Sequence, residues 1–189
     1  PVGGHSVWGL LPSPAAGGKP IGAQQSFVMA LARLDSVSLF SSDAVGAEAD
    51  MSGLIATLAA LTTLSGNNNI AGLNPEGYQA VDPTKFKYPI LFAFFEAEHW
   101  GYAGSTRFLN DWTDLQCLSW NGASCVTPNY QNTDFTKLRL SSIKSIVEAR
   151  QVGVQQHADH SNQLFVHQHR HAFDTPLVQT VLASGGGLS

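Results

Sequence analysis

Ile90 to Phe95 form a run of six consecutive apolar residues, Ile-Leu-Phe-Ala-Phe-Phe. An element apolar on every side has no face to turn to water, so it must be enclosed by other elements. Pro89 is a good first-turn residue for a helix, and the run continues through Glu96, Ala97, Glu98, His99 and Trp100. The segment therefore reads as a helix in the middle of the core. It is far shorter than the roughly 20 apolar residues needed to span a bilayer, which argues against membrane insertion.

The 189 residues are enough for one sizeable core, so residues 1–189 are expected to form a single domain. Residues 1–22 hold repeated Pro and Gly and read as an irregular arm. Phe27, Leu31, Leu34 and Val37 recur at helical spacing and place a first helix over about 23–42. Met51, Leu54, Leu58 and Leu61 repeat that stripe in a second helix, which stops at Gly66 and the three Asn that follow. After the central helix, residues 110–133 contain both cysteines, Trp112, Trp120 and Pro128, and read as a long ordered loop. Asn132, Thr133 and Asp134 are N-cap residues for a fourth helix with an inner stripe of Leu140, Ile143, Val147 and Val154. Asp174, Thr175 and Pro176 start a short last helix, and three Gly near the end stop it. The expected class is all-α: a four-helix bundle with a short C-terminal helix.

Charged residues make up 13% of the chain, where about 25% is usual, and the net charge is −4. Nothing here clusters Lys and Arg as phosphate neutralisation demands, so no nucleic-acid partner is expected. The two cysteines, Cys117 and Cys125, lie in a Gly/Asn/Ser-rich stretch that a disulfide would close into a small loop. That reading favours an oxidising compartment and a secreted, extracellular protein; the alternative is a pair of free thiols.

Carboxylates inside a bundle need compensation, and metal ions supply it in di-iron proteins, where Glu and Glu-x-x-His ligands project from facing helices. Glu96 and His99 have that three-residue spacing. Glu148 lies beside the stripe of the fourth helix with Gln151 three residues on, Glu48 opens the second helix with Met51 three residues on, and Asp35 is the acid of the first. Glu48, Glu96, His99 and Glu148 are the candidate metal ligands. Glu48 equally suits a helix first turn, where a negative charge complements the dipole.

The segment Ser145 to Gln151, with its Glu-Ala-Arg-Gln, followed by Ala172 to Ser184, with its Ala-Phe-Asp-Thr-Pro-Leu, resembles the end of secreted ferritin-like proteins of bacteria and fungi, including the fungal stress-response and sexual-development group. Asp82 to Phe86 and Trp100 to Asp111 are similar to that family's lead-in and helix. The resemblance implies a ferritin-like bundle, with Glu148 on the family's acidic ligand, Gln151 on a position often held by His, and Glu96 and Glu48 on the acids of two other helices. An amide and a thioether in place of imidazoles weaken binding of iron or manganese.

Five of the seven histidines lie between residues 157 and 171. His167, His169 and His171 line one side of an extended segment and His157 and His160 one face of a helix, an arrangement suited to zinc, copper or nickel. A solvated polar connection is the plainer reading. No nucleophile motif or phosphate loop is present, so no catalytic residue is assigned and the balance leans away from an enzyme. The sequence thus points to an exported ferritin-like protein with a degenerate metal site and a structural, stress-related or interaction role, with no cofactor expected. Two alternatives stand beside it: a di-metal iron or manganese carboxylate oxidase or metal-binding protein, and a self-assembling coat or matrix protein.

Overall fold

The computed structural model describes residues 4–12, 26–36, 50–65, 81–113, 117–120, 125–128, 140–152, 164–166, 179–180 and 186–188. The chain divides into two compact units, Pro1–Gln151 and Val152–Ser189, and each is described by itself.

The first unit is built on a sheet. Its strands are β1 (Val7–Leu11), β2 (Phe27–Arg33), β3 (Ile90–Phe95) and β6 (Ile143–Glu148), in the spatial order β1-β3-β2-β6. Strand β1 runs antiparallel to β3, while β2 is parallel to both β3 and β6. Between β2 and β3 lies helix α1 (Ser52–Leu64), and after β3 comes helix α2 (Ala103–Thr113). A separate hairpin pairs β4 (Cys117–Trp120) with β5 (Cys125–Pro128). In the second unit β7 (Leu164–Val166) pairs in parallel with β8 (Gly186–Leu188).

Alternation along β3 explains why its sequence has no polar side. Leu91, Ala93 and Phe95 join Phe27, Met29 and Phe108 of α2 in one core cluster. Phe92 and Phe94 join Leu11 and Ala32 in a second, against which Leu54, Leu61 and Leu64 of α1 pack. Helix α1 therefore covers one face of the sheet and α2 the other. A strand covered on both faces reads as a continuous apolar run, because successive side chains point to opposite faces and both faces are dry. Phe27 and Leu91 are fully enclosed, and each such side chain contributes about 1.5–3 kcal/mol through loss of water contact.

This architecture corrects the all-α, ferritin-like bundle. Of the four expected bundle helices, only the second is a helix among the described residues, as α1. The central run is a strand: its six residues suit a strand, whereas helices run to about ten or more. The first expected helix is β2, since Phe27, Met29 and Leu31 also satisfy period two and share one cluster and its border. The expected fourth helix holds β6, a half-exposed strand at the sheet's edge. The N-terminal arm contains β1, which ends at a cis Leu11–Pro12 bond. The long loop contains the end of α2 and the β4–β5 hairpin. Two of the glycines expected to end the order, Gly186 and Gly187, belong to β8. The short last helix falls mostly outside the described residues, of which Gln179 and Thr180 are helical. No helix among the described residues is long and apolar enough to cross a membrane.

Gly53, in the first turn of α1, lies against the chain that leaves β6: a Cβ there would meet the carbonyl oxygens of Ala149 and Arg150. Ser52 Oγ donates to the Arg150 carbonyl at 3.4 Å in the same place. Alanine is the better helix former by about 1 kcal/mol, yet its methyl has backbone rather than a movable side chain to displace. Gly53→Ala is therefore expected to lower stability by about 1–2 kcal/mol. Gly9→Ala, at a position with open space around it, should change it by less than about 0.5 kcal/mol. Urea unfolding midpoints check both.

Candidate functional site at the carboxyl end of the sheet

Strands β2 and β3 are adjacent and parallel, and the helices that follow them lie on opposite faces of the sheet. In open α/β sheets such a point leaves a crevice outside the carboxyl ends of the strands, where ligands are bound. Here those ends are followed by Asp35 after β2 and by Glu98 and His99 after β3. The sheet's own bonding extends into this region, with Leu34 N–H donating to the Phe95 carbonyl at 2.8 Å.

Asp35 organises the turn. Its Oδ1 accepts from the Glu98 backbone N–H at 3.1 Å and its Oδ2 from that of His99 at 3.2 Å. The His99 ring stands between two acids, with Nδ1 3.3 Å from Asp35 Oδ2 and Nε2 3.6 Å from Asp50 Oδ1 at the start of α1. Glu98, 8% exposed, faces the first turns of α2, where its two oxygens accept from the Ser105 N–H at 2.7 Å and the Ser105 hydroxyl at 2.9 Å. That is a carboxylate at a helix N-terminus, where unpaired N–H groups and the dipole favour negative charge. Three residues of the turn have left-handed backbone: Ala97 (φ 62°), Gly101 (φ 70°) and Tyr102 (φ 59°). For Ala97 and Tyr102 this conformation costs about 1–2 kcal/mol each, a cost the bonds to Asp35 and Glu98 offset. The turn presents Trp100 and Tyr102 to solvent.

Arg33, the last residue of β2, is buried beneath this turn, its guanidinium 5.9 Å from the Tyr102 ring centroid. Its Nε lies 3.6 Å from Glu148 Oε1 at the end of β6, and Arg150 Nε lies 3.7 Å from the same oxygen.

The expected ligands go to different partners. Glu96 follows β3 rather than lying in a helix; its backbone N–H donates to Ser6 Oγ at 3.2 Å and its side chain lies against Gly4. His99 sits between Asp35 and Asp50, and Glu148 between two arginines. Neither Glu96 nor Glu148 is helical, so the three-residue step that would align ligands on one helical face does not apply to them. Among the described residues no group of three or more His, Cys, Asp or Glu is placed to hold a metal ion. Glu48, His167, His169 and His171 lie outside the described residues, as do His157 and His160. Cys117 opens β4 and Cys125 opens β5; their side chains fall outside the description, so the disulfide stays an expectation. Sequence reasoning passed over Arg33, Asp50, Glu98, Tyr102 and Ser105. The signal was the placement of acids directly after two apolar runs, Leu-Ala-Arg-Leu-Asp and Phe-Phe-Glu-Ala-Glu-His, which only a strand reading turns into a site.

Burial pushes the Asp35 carboxyl up, but the backbone N–H groups of His99 and Glu98 and the His99 ring outweigh it and hold the group below the ordinary 3.8. A carboxyl depressed in the folded state stabilises the fold above its unfolded pKa, and that stability disappears as pH falls through the folded value. Asp35→Asn is therefore expected to cost about 1–3 kcal/mol at pH 7. The difference from the parent should shrink on acidification below pH 3.8. Chemical denaturation at pH 7 and near pH 3 measures both.

Comparison with known proteins identifies this arrangement. The family model "Nicastrin large lobe" matches residues 26–184. Nicastrin of Dictyostelium discoideum is 30% identical over 156 residues, covering 81% of this chain and 21% of that protein. Nicastrin of Arabidopsis thaliana is 34% identical over 115 residues, covering 59% of this chain and 14% of that protein, and human nicastrin is 30% identical over 111 residues with the same shares. The chain thus spans about a fifth or less of the length of the curated relatives it matches. A crystal structure of the gamma-secretase component nicastrin shares the fold with a TM-score of 0.69 at 23% identity, over 100% of this chain and 31% of that one. These matches overturn the ferritin-like assignment, and with it the degenerate-metal-site and stress-related role, the di-metal oxidase and the coat protein. The sheet with its two flanking helices and the match across residues 26–184 agree: this chain belongs to the nicastrin family and lies within its large lobe.

Proposed function

We propose that the chain is a partner-binding module of a nicastrin-type subunit in a gamma-secretase-like assembly, and that it holds other proteins rather than performing chemistry on them. The observation that carries this reading is the family match over residues 26–184, together with a solved relative described as a component of gamma-secretase. The carboxyl-end turn supports it. Its acids are engaged by backbone and hydroxyl donors, Asp35 by two N–H groups and Glu98 by Ser105. Carboxylates used in this way brace a loop, and a braced loop presents its side chains at little entropic cost on binding. Trp100, 62% exposed, and Tyr102, 57% exposed, are the residue types that dominate protein interfaces.

Export to an extracellular or lumenal compartment belongs to the same proposal, supported by the two cysteines at the starts of paired strands. The protein carrying this sequence, expressed with an affinity tag in cells that assemble gamma-secretase, should co-purify with that protease through mild-detergent size fractionation. Trp100→Ala combined with Tyr102→Ala should reduce recovery by about tenfold or more, as loss of two interface aromatics of about 1–2 kcal/mol each implies. Migration of the tagged protein apart from the protease in every fraction would refute the assembly reading.

A further inference from the structure

We propose that the carboxyl end of β2 carries a binding site for a carboxylate group, formed by Arg33 and Arg150 with Tyr102 beside Arg33. Arg33 is 7% exposed. Taking a guanidinium out of water is costly unless its N–H groups meet acceptors, and among the described residues the buried Nε of Arg33 meets none. The nearest anion is Glu148, at 3.6 Å from Arg33 Nε and 3.7 Å from Arg150 Nε. Both distances permit attraction, but both exceed the roughly 2.7–2.9 Å of a charge-assisted N–H···O bond. Two arginines therefore share one carboxylate, and at that distance it does not complete the hydrogen bonding of Arg33 Nε.

The ligand class follows from charge and shape. Two guanidinium groups and one carboxylate leave a single positive charge, and Asp35 stands two residues beyond Arg33. A dianionic phosphate would exceed that charge; a carboxylate matches it. The edge of a guanidinium presents parallel N–H groups that fit the two oxygens of a carboxylate. Tyr102 flanks the same guanidinium. Glu148, its side chain 44% exposed, stays beside the two guanidinium groups and competes with an incoming carboxylate for their charge. The site belongs to the chain itself, so its test is separate from any incorporation into an assembly.

The test is a titration of the 15N-labelled chain with sodium acetate, following the Arg33 Nε–H resonance, against sodium chloride at equal ionic strength. A saturable shift specific to acetate is expected. Glu148→Gln, which removes the competing charge, should tighten it by about threefold. Arg33→Lys, which keeps the charge but loses the fork, should abolish the saturable acetate shift read at the Arg150 Nε–H resonance. Two acetylated peptides, one with a free C-terminal carboxylate and one amidated with a single Glu, distinguish a chain terminus from a side chain as the source. Absence of a saturable acetate shift in both the parent and Glu148→Gln overturns the proposal, whatever the Arg33 variant does. Unfolding of Glu148→Gln overturns it as well, because Glu148 is then the obligatory partner of Arg33.

Discussion

The enclosure of β3 on both faces governs the rest of this structure. Leu91, Ala93 and Phe95 on one side and Phe92 and Phe94 on the other leave no edge of the strand's side-chain surface for water. Covering one face would leave the other exposed, so the sheet needs a helix on each. Helices α1 and α2 meet that need from opposite faces, and parallel pairing of β2 with β3 follows because a crossover helix must return the chain to the same end. The polar site is a by-product of this arrangement. Where two parallel strands stop together beneath helices that part to opposite faces, the chain must turn in a confined space and its polar groups converge.

At that turn the structure offsets one unfavourable feature with another. Ala97 and Tyr102 hold a backbone conformation that costs energy, and Asp35 and Glu98 are acids with little exposure to water. Each is tolerable because of the other: the tight turn directs the N–H groups of Glu98 and His99 at Asp35 and brings the start of α2 to Glu98. The result is a rigid platform, from which Trp100 and Tyr102 project.

How much of this was legible in the sequence differs from residue to residue. That Ile90 to Phe95 must be buried was legible, because burial depends only on composition. That it is a strand was not, because in a fully apolar run the period of two cannot be distinguished from a period near 3.6. Phe27, Leu31 and Leu34 fit the helical spacing while Phe27, Met29 and Leu31 fit the strand spacing, and the pairing with β3 and β6 decides between them. The helical state of α1 was legible because its Leu and Ala residues are strong helix formers, but its buried side was only half legible: Leu54 and Leu61 pack on the sheet with Leu64, while Met51 and Leu58 are exposed. Of the site, His99 was named for its spacing from Glu96, yet its actual neighbours, Asp35 and Asp50, come from segments far away in the chain. Long-range pairing brings those groups together, and local pattern carries no record of it.

The same pairing scheme affects how the chain reaches this state. In the four-stranded sheet every partner is remote in sequence: Val7 lies against Phe94, Leu91 against Met29, and Met29 against Ile146. Among the described residues no hairpin joins neighbouring strands of this sheet, so its strands pair by closing long loops, which makes for a slow search. Until β1 and β2 both arrive, the Phe-rich central segment is open to solvent and to other chains. Exposed apolar surface of this kind is prone to aggregate, so the interval before the sheet closes is when newly made molecules are most vulnerable.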